Sequence, residues 1–176
     1  ALVVAPLLAP AASAPSLPPA LAPSPFSAAP LDLSRAAGVY ERRGVGLLVL
    51  DAKDSTALHL SRGTRRAHAM IRDVIDGAES AASAFDGRVI RRLGDGSLIA
   101  FPSYAAALGA AEEIQRRSAG TPSLRIGVHA GRVLVDATGA VPEIYGRAVE
   151  KTLALAAAAA AGGIATEAGA LGTPAA

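Results

Sequence analysis

The stretch from Gly44 to Asp51, GVGLLVLD, is an unbroken apolar run of Val and Leu closed by a carboxylate. A half-exposed strand alternates apolar and polar residues; a continuous run fits a strand buried on both faces. Such a strand needs packed layers around it, and a chain of 176 residues is long enough to supply them as one domain of ordinary size. The core must hold without covalent staples, because the sequence has no cysteine. That absence also excludes a thiol nucleophile and a thiolate metal site.

Before this run, residues 1–30 consist of Ala, Pro, Ser, Leu and a few other uncharged residues. Proline at this density opposes a helix and favours an extended tract, so residues 1–38 read as a low-complexity linker or a targeting remnant. Pro6 and Pro10 interrupt the apolar start, and no basic residue precedes it, which argues for the linker. The segment is too short and too broken for a membrane span. The expected globular part is 39–170, followed by a tail at 171–176.

After Asp51 the stretch DSTALHL reads as a short helix that Asp54 or Ser55 can cap. Beyond Gly63, Ala67, Ile71, Val74, Ile75 and Ala78 recur at helical spacing and form one core-facing stripe. VIRRLGDGSLIAF reads as a hairpin with strands near 88–93 and 97–101, closed by a Gly-Asp-Gly turn. SYAAALGAAEEIQRR is a helix capped at Ser103 with basic residues at its C-terminal end. SLRIGVHAGRVLVD supplies two strands bent at Gly131. A last helix is expected from Arg147 through the alanine tract to Gly162 and Gly163, with a final strand after it. The order is strand, helix, strand, strand, helix, strand, strand, helix, strand.

The hairpin turn places Asp95 where it can lie beside Asp51. Two carboxylates at adjacent strand ends repel unless a cation neutralises them, and a hard divalent ion such as Mg²⁺ is the natural candidate. The following helix opens with Asp-Ser-Thr, so the free N–H groups around Ser55 and Thr56 can meet a phosphate. Metal and helix N-terminus together suggest a nucleoside triphosphate site.

LLVLDAKDSTAL, VIRRLGDGSLIAF, LRIGVHAGRVLV and IYGRAVEKTLAL, in that order, resemble the catalytic domain of class III adenylate and guanylate cyclases, in particular the bacterial branch; the resemblance covers about residues 44–167. It implies an α+β domain with a ferredoxin-like core, a mainly antiparallel sheet covered by helices. It also implies that Asp51, Asp95 and the main-chain carbonyl of Ala52 hold two Mg²⁺ or Mn²⁺ ions. One would activate the ribose 3′-hydroxyl for attack on the α-phosphorus, and the other would hold the triphosphate while pyrophosphate leaves. In the family the site forms between two such domains, so the implied partners are ATP, with GTP as the alternative, and a second cyclase domain in a homodimer or heterodimer.

Four positions depart from the family. Arg91 stands where adenylate cyclases carry a base-reading Lys, and Glu143 where the companion Asp is expected; Arg is a planar fork that does not simply copy Lys. On the final helix Glu150 replaces an Asn that orients the ribose, and Ala154 replaces an Arg that stabilises charge on the α-phosphate. Arg147 and Lys151 share a face of that helix and are the candidate substitutes.

The expected function is therefore a nucleotidyl cyclase-like domain forming cyclic AMP from ATP. A catalytically degenerate module that binds nucleotide or a partner domain is the alternative, and a nucleotide-free ferredoxin-like interaction domain is the third reading. With aromatics at 3% and no long basic run, a nucleic-acid partner is not expected despite a net charge of +2. His59, His68 and His129 lack a zinc-ligand spacing. The expected location is cytoplasmic, as a free domain or as part of a larger or membrane-tethered protein.

Overall fold

A computed structural model describes residues 41–167 apart from 119, 121, 140 and 141. The reading of 1–38 as a linker and of 171–176 as a tail lies outside the described residues, as do both ends of the expected 39–170 domain.

Strand β1, Glu41–Ala52, starts three residues before the apolar run and forms the middle of the sheet. Two helices follow, α1 (Ser55–Arg62) and α2 (Thr64–Ser83), split at Gly63, whose φ of 79° breaks what the sequence presents as one helical segment. The hairpin is β2 (Arg88–Arg92) and β3 (Gly96–Phe101), and α3 spans Tyr104–Arg117. Then come β4 (Leu124–Asp136), β5 (Glu143–Tyr145), α4 (Arg147–Ala158) and β6 (Ile164–Thr166). The six strands form one sheet ordered β2-β3-β1-β4-β5, with β6 paired to β4. Every pairing is antiparallel except β4 with β6. The expected α+β class, a mainly antiparallel sheet covered by helices, is the one observed.

Both faces of β1 are buried, as its unbroken apolar run requires. Leu48, Leu50 and Ala52 point to the face covered by α1, α2 and α3, where Ile99, Phe101, Leu124, Ile126 and Val128 join them. Val45, Leu47 and Val49 point to the other face, with Leu98, Ala100, Val133 and Val135. Of the expected α2 stripe, Ala67, Ile71, Ile75 and Ala78 are buried and Val74 packs half-buried against them. Helix α3 is capped as expected, the Ala106 N–H donating to Ser103 Oγ at 3.1 Å.

Three local expectations are corrected. SLRIGVHAGRVLVD forms one continuous strand, β4, whose register with β1 runs unbroken through Gly131, rather than two strands. There a Cβ would meet the Cβ of Ala148 at 2.8 Å, so the residue serves as a seat for α4. Helix α4 stops at Ala158, before Gly162. The Gly162 N–H donates to Leu124 O at 2.9 Å and the Ile126 N–H to Gly163 O at 3.1 Å, so the β4 edge draws the chain out of the helix. Third, α1 has no side-chain cap: Asp54 takes a left-handed conformation with φ 58°, and the hydroxyl of Ser55 is used elsewhere.

Candidate functional site

Asp51, near the end of β1, pairs in register with Gly96 on β3 and with Arg125 on β4. The hairpin that carries Asp95 is bolted to the same place, since the Ala52 N–H donates to Asp95 O at 2.9 Å and Leu93 N–H to Gly96 O at 2.8 Å. Only Gly94 in this turn has a positive φ, 80°, which is the hairpin pattern with Gly at the first central position. Asp95 itself needs no left-handed backbone, so turn geometry does not explain why a carboxylate stands there.

The two carboxylates have different partners. Asp95 Oδ2 accepts from Ser55 Oγ at 2.6 Å, which ties the first turn of α1 to the hairpin. Asp51 Oδ2 accepts from Arg125 Nε at 3.0 Å and also from Arg125 Nη2. Both members of this ion pair are about a quarter exposed, 25% for Arg125 and 27% for Asp51. Thr56 is exposed beside Ser55 on α1, and Ala52 is buried on the other side of the strand. Asp51, Ala52, Asp95, Ser55 and Thr56 therefore lie together at one end of the sheet.

Arg91 and Glu143, 52 positions apart, also meet: Arg91 Nη2 donates to Glu143 Oε2 at 3.2 Å. The two edge strands of the sheet approach each other here, and Tyr145 adds a second donor to the same oxygen. That bond to Glu143 raises the pKa of the Tyr145 phenol. Arg91 points to the second sheet face because a bulge between Val89 and Arg91 shifts the register of β2. Glu143 is the first residue of β5.

On α4 the buried side carries Ala148, Thr152 and Ala156, which leaves Arg147, Glu150, Lys151 and Ala154 exposed. Lys151 is committed to an ion pair with Glu167 just beyond β6. Among the described residues Arg147 forms no ion pair. Of the two candidate substitute donors, Lys151 is thus paired and Arg147 is not.

His129 lies on β4 between Gly131 and Gly127, where a Cβ would likewise meet α4; its Nδ1 is 3.5 Å from Glu167 and without a hydrogen bond. Burial pushes its pKa down, against the attraction of Glu167 and with the repulsion of Lys151. An imidazole with a folded pKa below its unfolded value makes the unfolded chain bind more protons, so stability falls as pH drops through the range just below 6.5. A His129→Gln variant is expected to show a flatter stability profile between pH 7 and 5, measured by urea unfolding; an unchanged slope would remove His129 as its cause.

Arg125 is the site residue that the sequence reading missed. Its signal was one charged position within an apolar strand, LRIGV, but its meaning depends on the β1–β4 register, which places it opposite Asp51.

The oxygen donors suit a hard cation: two carboxylates and the nearby main-chain carbonyl of Ala52. Among the described residues no group of three or more His, Cys, Asp or Glu forms a metal cage. Water and phosphate oxygens would have to complete a coordination shell, which is the habit of Mg²⁺.

Sequence comparison finds no protein-family profile and no curated protein that matches this chain. Comparison with solved structures finds adenylyl and guanylyl cyclase catalytic domains. The adenylyl cyclase CyaB from P. aeruginosa superposes with a TM-score of 0.65 at 18% identity, over 74% of this chain and 80% of that one. The adenylate cyclases from Trypanosoma brucei in their monomeric state give 0.60 at 21% identity, over 72% and 74%. The guanylate cyclase domain of RhGC from Catenaria anguillulae, in complex with GTP, gives 0.65 at 16% identity, over 74% and 81%. The fold of this chain is that of a cyclase catalytic core. No helix among the described residues is long and apolar enough to cross a membrane.

Proposed function

We propose that this chain is a class III nucleotidyl cyclase-like domain that binds a nucleoside triphosphate with Mg²⁺ or Mn²⁺ at Asp51, Ala52 and Asp95 and converts ATP to cyclic AMP and pyrophosphate. The observation that carries the reading is the Ala52–Asp95 hydrogen bond of 2.9 Å on this fold, which fastens the turn bearing one carboxylate to the strand end bearing the other. A bound divalent ion supplies charge neutralisation and Lewis-acid polarisation of phosphate oxygens. The chain's own residues place the nucleotide. Helix α1 has no side-chain cap and Ser55 in its first turn bonds Asp95, so the free N–H groups of that turn favour an anion near this carboxylate. Arg91 and Glu143 offer a fixed donor and acceptor pair for a purine edge, and their replacement of the adenylate-type Lys and Asp leaves GTP as a competing substrate.

A second reading, a degenerate module that binds nucleotide or a partner domain without turnover, is favoured by one observation. The α4 positions expected to carry an Asn and an Arg present Glu150 and Ala154, and Lys151 is tied to Glu167. A second domain, from another copy or from an intact cyclase, would have to complete the site.

Mn²⁺ with ATP is expected to raise the unfolding midpoint, by the equivalent of about 2.7 kcal/mol at one hundred times the dissociation constant. Asp51→Asn or Asp95→Asn should each reduce the rise. Equal stabilisation of the unaltered chain and of the double variant would refute the site. Cyclic AMP production by the domain, alone and mixed with an intact cyclase protomer, then separates catalyst from binding module.

A further inference from the structure

We propose that Arg125 holds Asp51 in the metal-free chain and must release it before a divalent cation can take Asp51 as a ligand, so that Arg125 sets the intrinsic metal affinity of the site. This rests on the reading of Asp51 and Asp95 as metal ligands and goes beyond it by giving the two aspartates unequal availability. Two N–H groups of one guanidinium converge on Oδ2 of Asp51. They fill the lone pairs of that oxygen and place a full positive charge beside any cation approaching the other. Partial burial of both side chains weakens the screening of the pair.

Among the described residues Asp95 has no cationic partner. Its partner is the neutral hydroxyl of Ser55, at 2.6 Å, which can turn its oxygen lone pairs toward a cation. A metal ion therefore meets Asp95 first and competes for Asp51 second. Arg125 also has a second place to go: Nη1 already lies 3.5 Å from Ala157 O, in the last turn of α4, where free helix carbonyls favour a cation. The guanidinium has one partner on β1 and another on α4, and a cation at Asp51 shifts it from the first to the second.

The test uses the full chain and Mn²⁺ alone, with free Mn²⁺ followed by electron paramagnetic resonance. Arg125→Gln is expected to bind Mn²⁺ about five- to tenfold more tightly than the unaltered chain, and the gain should disappear when combined with Asp51→Asn. If Arg125→Gln does not fold, Arg125→Lys, which keeps a charge without the two-pronged contact, should show a smaller gain. In parallel, the Arg125 Nε–H resonance should move towards that of a solvent-exposed arginine when Mg²⁺ saturates the chain. Unchanged or weaker Mn²⁺ binding by Arg125→Gln, with Asp51→Asn still weakening it, overturns the proposal and leaves the metal site standing. So does an Nε–H resonance that stays in place while Mg²⁺ binds. Equal Mn²⁺ binding by the unaltered chain, Asp51→Asn and Asp95→Asn overturns the metal site and the proposal together.

Discussion

Replacing Glu150 by Asn and Ala154 by Arg in one chain is expected to raise cyclic nucleotide output by about 10²-fold or more. A single positioned donor to a developing negative charge is typically worth about 10² to 10³ in turnover, and two groups acting on one transition state need not multiply. Both residues lie on the exposed side of α4, one helical turn apart, so neither replacement disturbs the buried contacts of Ala148, Thr152 and Ala156. The Glu150 change removes a carboxylate that repels a triphosphate, and the Ala154 change supplies a charged fork. Output measured with Mn²⁺ and ATP should rise in the double variant and vanish again with Asp51→Ala. Brisk turnover by the unaltered chain, lost on Arg147→Ala, would mean that Arg147 has taken over the missing arginine's role. Binding of ATP by both chains with no product from either would leave only the binding module.

The parts of this site that could be read from sequence are those where local chemistry and long-range geometry agree. Asp51 closes an apolar run, and Asp95 stands in a hairpin turn whose two arms are visible as apolar segments. Both ends of that argument are local, the hairpin allows the two to lie side by side, and the resemblance to cyclases agrees with it. Arg91 and Glu143 were paired by the same resemblance, and the structure brings them to 3.2 Å. Arg125 was not legible because its partner lies 74 residues away and only the antiparallel register of β1 and β4 brings the two together. Strand β5 was missed because three residues show no periodicity. The early end of α4 was missed for a related reason. An alanine tract has high helix propensity throughout, and what stops it is competition from the β4 edge, a tertiary contact.

Gly131 shows the opposite failure, since a glycine inside a strand pattern is as well explained by close packing as by a bend. Gly127 and Gly131 lie on the same face of β4, with His129 between them, and α4 rests on that face. A bend there would have tilted the helix that carries Glu150 and Ala154 away from the sheet. The continuous strand instead fixes where α4 sits relative to Asp51 and Arg125.

Gly127→Val is accordingly expected to be among the most damaging single changes in the chain. A Cβ at this position would lie 2.3 Å from the Ala156 backbone N and 2.5 Å from Thr152 O. Those are main-chain atoms of a helix, so no side-chain rotation relieves the clash, and α4 must lift off β4. Overpacking of a tight contact costs about 1–3 kcal/mol and sometimes more; here the upper end applies, because a branched side chain meets backbone. For a domain of this size the midpoint should fall by roughly 10 °C. Gly77→Ala on α2 is the matched control, since a Cβ there meets nothing within 4 Å and the residue is helical and exposed. Removing backbone freedom at such a site should stabilise by about 0.5–1 kcal/mol. Thermal unfolding of the two variants side by side separates the space a glycine provides from the flexibility it brings. A Gly127→Val midpoint within a degree or two of the unaltered chain would mean that α4 is not pressed on β4 at Gly127, and the placement of Arg125 between Asp51 and the end of α4 would fall with it.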